Sequence, residues 1–370
     1  MKKIDIQITK NVGGIPDDAL YIMQPDVNGN IWFIGYYFDY TTYEHITHVY
    51  KFDGDNATKY SFTNDKKYVI NEYKSVFAAG PNGEIYFTPT VYLSLDHPTI
   101  VCINAQDEAF EIECTNYDDA FVIKKFAAST NMLFCALASG YSNYSKIHRV
   151  EDNLASPLGL DEFYKIQDMV FTNTGDLLII DGMQEAHIID VEKSKLKKSF
   201  RISEIYYSSY DISTLTMPMG IVFVDYEKGF IQVRDDHCKL LHEISILGKN
   251  DHPLSKVLTG LSDHSMELAQ VTKIDDETIL LILRDWEYIT GDLYEGTEKN
   301  FLRTLHLPTM ELGTHPFEDN ATGVIQYSTF DKNGTLWLSQ LGSKSDTTKI
   351  YKITPDNKRV DAQETIFPDS

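Results

Sequence analysis

Hydrophobic and polar residues alternate over short segments of this chain, and turn residues separate the segments. Near the start of the chain the alternation marks four segments, at about residues 20–24, 30–37, 47–51 and 58–63. A period of two is the pattern of a half-buried β-strand, and an Asn-Gly pair supplies the positive φ angles of a tight hairpin. The pattern therefore predicts four antiparallel strands in a row, joined by short turns.

One unit of this kind recurs along the chain: an apolar strand, a turn with Asn-Gly or a related pair, and a second strand with an aromatic residue near its start. The corresponding turn positions are Gly29, Gly83, Asn131, Gly175, Gly229, Glu277 and Gly334. They are 54, 48, 44, 54, 48 and 57 residues apart, which leaves room for four short strands and their loops. A repeated unit that cannot bury both faces alone predicts an all-β fold, a single β-propeller with seven four-stranded blades. Six or eight blades are the alternatives.

The ends of the chain are expected to close this propeller by pairing of N- and C-terminal strands. Residues 3–9 alternate like a strand and are predicted to form the outer strand of the last blade, although residues 359–367 compete for that place. We expect one domain over residues 1–370, because no segment has the composition of a linker. Long loop insertions are predicted at about 236–267 and 284–322, and the stretch 240–261 of the first has room for a short helix.

Two of the repeats resemble those of known propeller families. Residues 78–88, Ala-Ala-Gly-Pro-Asn-Gly-Glu-Ile-Tyr-Phe-Thr, resemble the Gly-Pro-Asp-Gly-Asn-Leu-Trp-Phe-Thr repeat of streptogramin-lyase-like propellers. Residues 331–337, Asp-Lys-Asn-Gly-Thr-Leu-Trp, resemble the Asp-x-x-Gly-x-Leu-Trp repeat of sensor-type and NHL-like propellers. The resemblance implies the propeller fold but no single activity, since such repeats serve many functions.

A streptogramin-type lyase would place a catalytic Glu after one second strand and a His about fourteen residues before it. The residues six places after the seven turn positions are Gly35, Pro89, Leu137, Asp181, Asp235, Leu283 and Gln340, and none of them forms such a pair. We identify no catalytic residue, and whether the protein is an enzyme stays open. Asp181 and Asp235 are weak metal candidates, because both follow predicted second strands. They support one alternative, a divalent-metal-dependent hydrolase or lyase whose calcium or magnesium ion lies in the central channel.

The charge of the chain disfavours two classes of binding partner. The 55 Asp and Glu residues against 33 Lys and Arg give a net charge of −22. A field of this sign repels nucleic acid and anionic membranes. The four cysteines have no Cys-x-x-Cys spacing, and no apolar segment follows the N-terminal lysines. We therefore expect a monomeric cytoplasmic protein with reduced thiols.

The connections that follow the predicted second strands are rich in Tyr, Trp and carboxylates. Exposed Tyr and Trp combine a large contact area with a polar tip, as at protein interfaces and sugar-binding platforms. The main hypothesis is therefore a binding scaffold, without a cofactor, for a protein, a peptide or a polyhydroxylated ligand. The alternative for these aromatics is that they pack the loops onto the blades. The candidate binding residues are Tyr36, Tyr37, Tyr40, Tyr43, Tyr92, Tyr141, Tyr144, Tyr207, Trp286 and Tyr288.

Overall fold

The protein is built from antiparallel β-meanders. The computed structural model describes residues 2–10, 20–39, 41, 44–54, 56–62, 77–80, 82–88, 100–114, 121–129, 132–139, 142–151, 154–202, 212–226, 229–246, 266–285, 299–315, 324–341, 348–356 and 359–361. Its blades divide into two compact units, one with the blades of residues 19–208 and the other with the blades of residues 209–370. Within the described ranges, no helix is long and apolar enough to cross a membrane.

The first unit contains two N-terminal strands, β1 (Lys2–Ile4) and β2 (Ile6–Lys10), and four blades. Blade 1 consists of β3 (Leu20–Pro25), β4 (Ile31–Asp39), β5 (Glu44–Phe52) and β6 (Ala57–Phe62). Blade 2 consists of β7 (Phe77–Ala79), β8 (Ile85–Phe87), β9 (Ile100–Ile103) and β10 (Ala109–Cys114). Blade 3 consists of β11 (Phe121–Ala128), β12 (Leu133–Ser139), β13 (Tyr144–Glu151) and β14 (Leu154–Pro157), and the short β15 (Phe163–Tyr164) pairs with β13. Blade 4 consists of β16 (Asp168–Phe171), β17 (Leu177–Ile180), β18 (Glu185–Asp190) and β19 (Lys195–Arg201).

The second unit contains three blades. Blade 5 consists of β20 (Ile212–Met217), β21 (Gly220–Asp225), β22 (Phe230–Arg234) and β23 (Leu240–Ser245). Blade 6 consists of β24 (Met266–Lys273), β25 (Thr278–Asp285), β26 (Lys299–His306) and β27 (Glu311–Thr314). Blade 7 consists of β28 (Val324–Phe330), β29 (Leu336–Leu341), β30 (Thr348–Ile353) and β31 (Arg359–Asp361). The predicted fold class, an all-β propeller with seven four-stranded blades, is confirmed.

The core lies between neighbouring blades of the same unit. Trp32 and Val49 of blade 1 pack in one cluster with Ile85 and Phe87 of blade 2. Second strands are buried on both faces, and every residue of β17 and of β21 is buried. This explains why such strands appear in the sequence as continuous apolar runs rather than as strict alternation.

The N-terminal segment lies elsewhere than predicted. β2 pairs with β6 of blade 1, where Ile6 is opposite Phe62, and β1 pairs with β10 of blade 2, where Lys2 is opposite Glu111. The physical reason is apolar contact, because Ile4 is buried in the cluster that blades 1 and 2 share. The outer place in blade 7 is taken by β31. The expected pairing of N- and C-terminal strands is therefore not observed among the described residues.

Blade 5 has a different register from the predicted one. Its first two strands are joined by the two-residue turn Pro218-Met219, which is followed by Gly220 at a φ of +135°. The turn at Gly229 joins β21 to β22, so it connects the second strand to the third. Asp235 consequently follows the third strand, and the prediction that it follows a second strand was wrong.

The two predicted insertions contain blade strands. β23 lies inside the range 236–267, and β26 and β27 lie inside 284–322. Both insertions were therefore drawn too long, and in blade 5 the shifted register had left the last strand unassigned. Most of 240–261, where a short helix was considered, lies outside the described residues. The remaining parts at 247–265, 286–298 and 316–322 lie outside the described residues.

Candidate functional site

Of the ten predicted binding aromatics, Tyr144 is the one whose side chain the structure describes. Tyr36 and Tyr37 lie in β4, with their backbones opposite Thr47 and Ile46. The other predicted residues lie outside the described residues: Tyr40, Tyr43, Tyr92, Tyr141, Tyr207, Trp286 and Tyr288. For these, the binding role stays a prediction.

Tyr144 begins β13, next to the connection that joins the second and third strands of blade 3, and it is 50% exposed. Its ring lies against Tyr164, with 5.3 Å between the centroids. The Lys165 ammonium lies 5.5 Å from the centroid of the Tyr164 ring. Met183, which is 63% exposed, follows Gly182, whose N–H donates to the carbonyl of Tyr164 at 2.9 Å. We call these four residues, Tyr144, Tyr164, Lys165 and Met183, the Tyr144 surface.

The turn that carries Met183 is closed by the Asp181 carboxylate. Asp181 Oδ1 accepts the backbone N–H groups of Met183 and Glu185 at 2.9 and 3.0 Å. Asp181 Oδ2 lies 3.1 Å from His187 Nε2, and His187 Nδ1 lies 2.9 Å from Ser199 Oγ. Because a carboxylate only accepts, Nε2 donates to Asp181, and in the neutral ring the Ser199 hydroxyl then donates to Nδ1. The ring of His187 is thus held between two strands of blade 4.

Two other turns have the same arrangement with tryptophan in place of histidine. Asp26 Oδ1 accepts two backbone N–H groups, and its Oδ2 accepts from Trp32 Nε1 at 3.1 Å. Asp331 likewise accepts two backbone N–H groups, and Trp337 Nε1 donates to its Oδ2 at 3.0 Å. In all three turns the ring stands six residues after the Asp. This spacing gives a physical reason for the Asp-x-x-Gly-x-Leu-Trp repeat, since the Asp closes the turn and binds the ring.

Glu185 adds a third metal-type donor to the Asp181 turn. Within the described residues, the ligand atoms of Asp181, Glu185 and His187 lie within 4.8 Å of one another. Asp181 and His187 are buried, whereas the Glu185 side chain is partly exposed and lies 3.5 Å from Arg201 Nε. One imidazole and two carboxylates are a donor set for a divalent transition metal.

Asp235 is not part of this group. Its Oδ1 accepts the backbone N–H groups of His237 and Lys239, and it closes the turn between β22 and β23. Asp181 follows a second strand and Asp235 follows a third strand, so they stand at opposite ends of their blades. The two predicted metal candidates therefore do not hold equivalent positions.

The sequence analysis missed Glu185 and His187. The signal was present, because Asp181 and His187 have the same spacing as Asp26 and Trp32.

The cysteines take no part in this chemistry. All four are free thiols. Burial raises the pKa of Cys102 and that of Cys114 to about 12. At neutral pH these two are therefore protonated, which is unfavourable for a nucleophile or a metal ligand.

No known family model matches this chain, and no curated protein matches it in sequence. Among solved structures it is similar to a chain of the mitotic checkpoint complex, with a TM-score of 0.55, 10% identity, and 94% of this chain and 91% of that chain covered. It is also similar to hydrazine synthase of Kuenenia stuttgartiensis, with a TM-score of 0.52, 11% identity and 76% of each chain covered. A third similar structure is the β-propeller domain of Cps50 (Swd1) from Myceliophteria thermophila, with a TM-score of 0.52, 8% identity, and 92% of this chain and 99% of that chain covered. At these identities the likeness concerns the fold alone.

Proposed function

We propose that this protein is a protein-binding scaffold whose recognition surface lies at the ends of the blades where second strands pass to third strands. The fold is typical of such scaffolds, and the Tyr144 surface stands at this end of blades 3 and 4. The observation that carries the proposal is the Tyr144–Tyr164 ring contact beside the turn of Met183, because Tyr144 and Met183 both remain substantially exposed there.

The chemistry of the Tyr144 surface suits a protein partner. Tyrosine supplies contact area at a low cost in conformational entropy, and methionine adapts its shape to the surface that it meets. Lys165 adds a positive group beside the aromatic pair, whereas the whole chain carries a charge of −22. A partner that combines apolar side chains with a local carboxylate would complement both features, and nucleic acid would be repelled by the net charge.

The test is a quantitative capture experiment with the tagged full chain expressed in its source cells. The variant replaces Tyr144 and Met183 together by Ala, and its matched control replaces Leu240 and Leu241 of β23, which are 41% and 40% exposed, by Ala. We expect the captured partner to fall at least about tenfold for the first variant and to remain for the second, since truncation of an interface aromatic costs more than about 1.4 kcal/mol. Equal capture by both variants would refute the proposal.

The same experiment extends to the loop residues that the sequence analysis selected. The variant in which Tyr37, Tyr40 and Trp286 are replaced together by Ala is expected to lose the partner as well if these loop residues contact it. Retention by this triple variant, with loss by the Tyr144 and Met183 variant, would confine recognition to the Tyr144 surface.

A further inference from the structure

We propose that Asp181, Glu185 and His187 form a binding site for a divalent transition metal of the zinc type, at the turn that carries Met183. The inference does not depend on a protein partner, because metal binding is a property of the isolated chain. It rests on the position of three donor side chains and on a charge pattern that distinguishes this turn from its counterparts.

The donors can meet one ion. Zinc binds imidazole nitrogen and carboxylate oxygen at about 2.0–2.2 Å, which separates tetrahedral ligands by about 3.3 Å. His187 Nε2 and Asp181 Oδ2 are 3.1 Å apart, and a Glu185 oxygen is within 4.8 Å of both. Because the Glu185 side chain is partly exposed, a change of its rotamer closes the remaining gap. Three protein ligands leave a fourth coordination position for water.

The charge pattern favours a cation here. Four turns in the described residues are headed by an Asp whose carboxylate accepts the N–H groups two and four residues later, at Asp26, Asp181, Asp235 and Asp331. The residues four places after the Asp are Asn30, Glu185, Lys239 and Thr335. The turn at Asp181 alone among these four places a second carboxylate there. Asn30 donates to Asp26, whereas Glu185, which also lies 3.5 Å from Arg201 Nε, adds a like charge to Asp181, and a bound cation reduces that repulsion further.

The surroundings of His187 are compatible with ligation. Without metal, Nε2–H donates to Asp181 and the Ser199 hydroxyl donates to Nδ1. With metal, the neutral ring takes the other tautomer: the proton leaves Nε2, a proton binds Nδ1, and Nδ1–H donates to Ser199 Oγ. A hydrogen bond from the second ring nitrogen is the usual support of a metal-binding histidine.

The test is a zinc titration of the full chain after removal of metals with EDTA, in competition with a chromophoric chelator. We expect one equivalent to bind with a Kd below the micromolar range. His187→Gln is expected to abolish binding, and its amide can still donate to Asp181, which preserves the turn. Glu185→Gln is expected to weaken binding at least about tenfold, since even the outer partners of metal ligands are worth that factor.

The matched control is His306→Gln. His306 Nε2 lies 3.3 Å from the Glu277 carboxylate in blade 6. This pair consists of one imidazole and one carboxylate, as in the proposed site, but it is not part of the three-donor group. This variant is expected to bind zinc as the unmodified chain does. Cobalt provides a second readout, because visible absorption bands of tetrahedral intensity should appear in the unmodified chain and in the control, and should be lost with His187→Gln.

Thermal unfolding of the EDTA-treated variants verifies that each is folded. Absence of zinc binding by the unmodified chain overturns the inference, and so does an unchanged stoichiometry and affinity in His187→Gln and Glu185→Gln. None of these outcomes depends on capture of a protein partner, so failure of the metal site and failure of the proposed recognition surface are distinguished.

Discussion

The turns at Asp26 and at Asp181 have the same backbone hydrogen bonds but different rings. In the first, Trp32 is fully buried and stacked on Tyr60, with 5.4 Å between the centroids. In the second, His187 is buried between Asp181, Ser199 and the ring of Phe163, which lies 5.2 Å away. An indole nitrogen can only donate, whereas an imidazole can donate, accept or bind a metal. One turn design thus serves a purely structural purpose in blade 1 and leaves a chemically versatile group in blade 4.

The largest effect is expected from removing the rings. Trp32→Ala should lower the free energy of unfolding by about 4 kcal/mol, because a fully buried indole leaves a large cavity. His187→Ala should cost about 1–2 kcal/mol, the value of a smaller ring and its hydrogen bonds. Urea unfolding of both variants measures the difference. Equal losses of unfolding free energy would show that His187 stabilises its turn as strongly as Trp32 does, and would contradict the distinction drawn between the two turns.

A second buried histidine, His148, is expected to make the stability depend on pH. His148 lies in β13, and burial lowers its pKa from the ordinary 6.5 to about 4. Between these values the unfolded chain binds the proton and the folded chain does not. The contribution of His148 to stability is therefore complete above about pH 6.5 and is lost as the pH falls to about 4, a loss of up to about 3 kcal/mol.

Urea unfolding at pH 4.5 and 7.5 tests this expectation with His148→Gln beside the unmodified chain. The variant should lose less stability on acidification, since glutamine does not titrate. The same pH dependence in both proteins would contradict the assigned cause.

The smallest and sharpest test replaces each turn carboxylate by an amide. Asp26→Asn should cost about 2 kcal/mol, because an amide NH₂ then faces the Trp32 N–H, which cannot become an acceptor. Asp181→Asn should cost less than about 1 kcal/mol, because His187 can change tautomer and accept from the new amide. Thermal or urea unfolding of the two variants measures both losses of stability. A larger loss for Asp181→Asn would mean that His187 is held as rigidly as Trp32.

Much of the fold could be predicted from turn chemistry. The Asn-Gly turns at Gly29 and Gly334 mark first hairpins, and the four strands predicted for blade 1 agree with β3–β6 to within a few residues. Blade 5 was misregistered because its first hairpin turn is Pro218-Met219, which lacks Asn-Gly, while a glycine turn stands one strand later at Gly229. Because the Gly229 turn was assigned to the first hairpin, every strand of blade 5 was assigned one position too early.

The candidate site was harder to predict, because its residues lie in different parts of the repeat, some in a turn and others on a strand. Asp181 was selected for its place after a strand, but Glu185 and His187 lie on β18 and were not linked to it. Tyr144 was selected from composition, and its contact with Tyr164 depends on the short strand β15, which no repeat predicts. The position of the first residues also depends on burial of Ile4 in a distant cluster, which alternation alone does not reveal.

The pairing of β1 and β2 has a consequence for the order of events during synthesis. Lys2 pairs with Glu111 and Ile6 with Phe62, so β1 finds its partner strand only after about one hundred further residues have been added, and β2 after about fifty. Until then their backbone donors and acceptors must be satisfied by water or by another chain. Contacts so distant in sequence form late, because closing a long loop costs entropy before the contact repays it. β1 and β2 thus leave the ribosome before the strands that they cover, and each of them can dock only after its partner blade has been made.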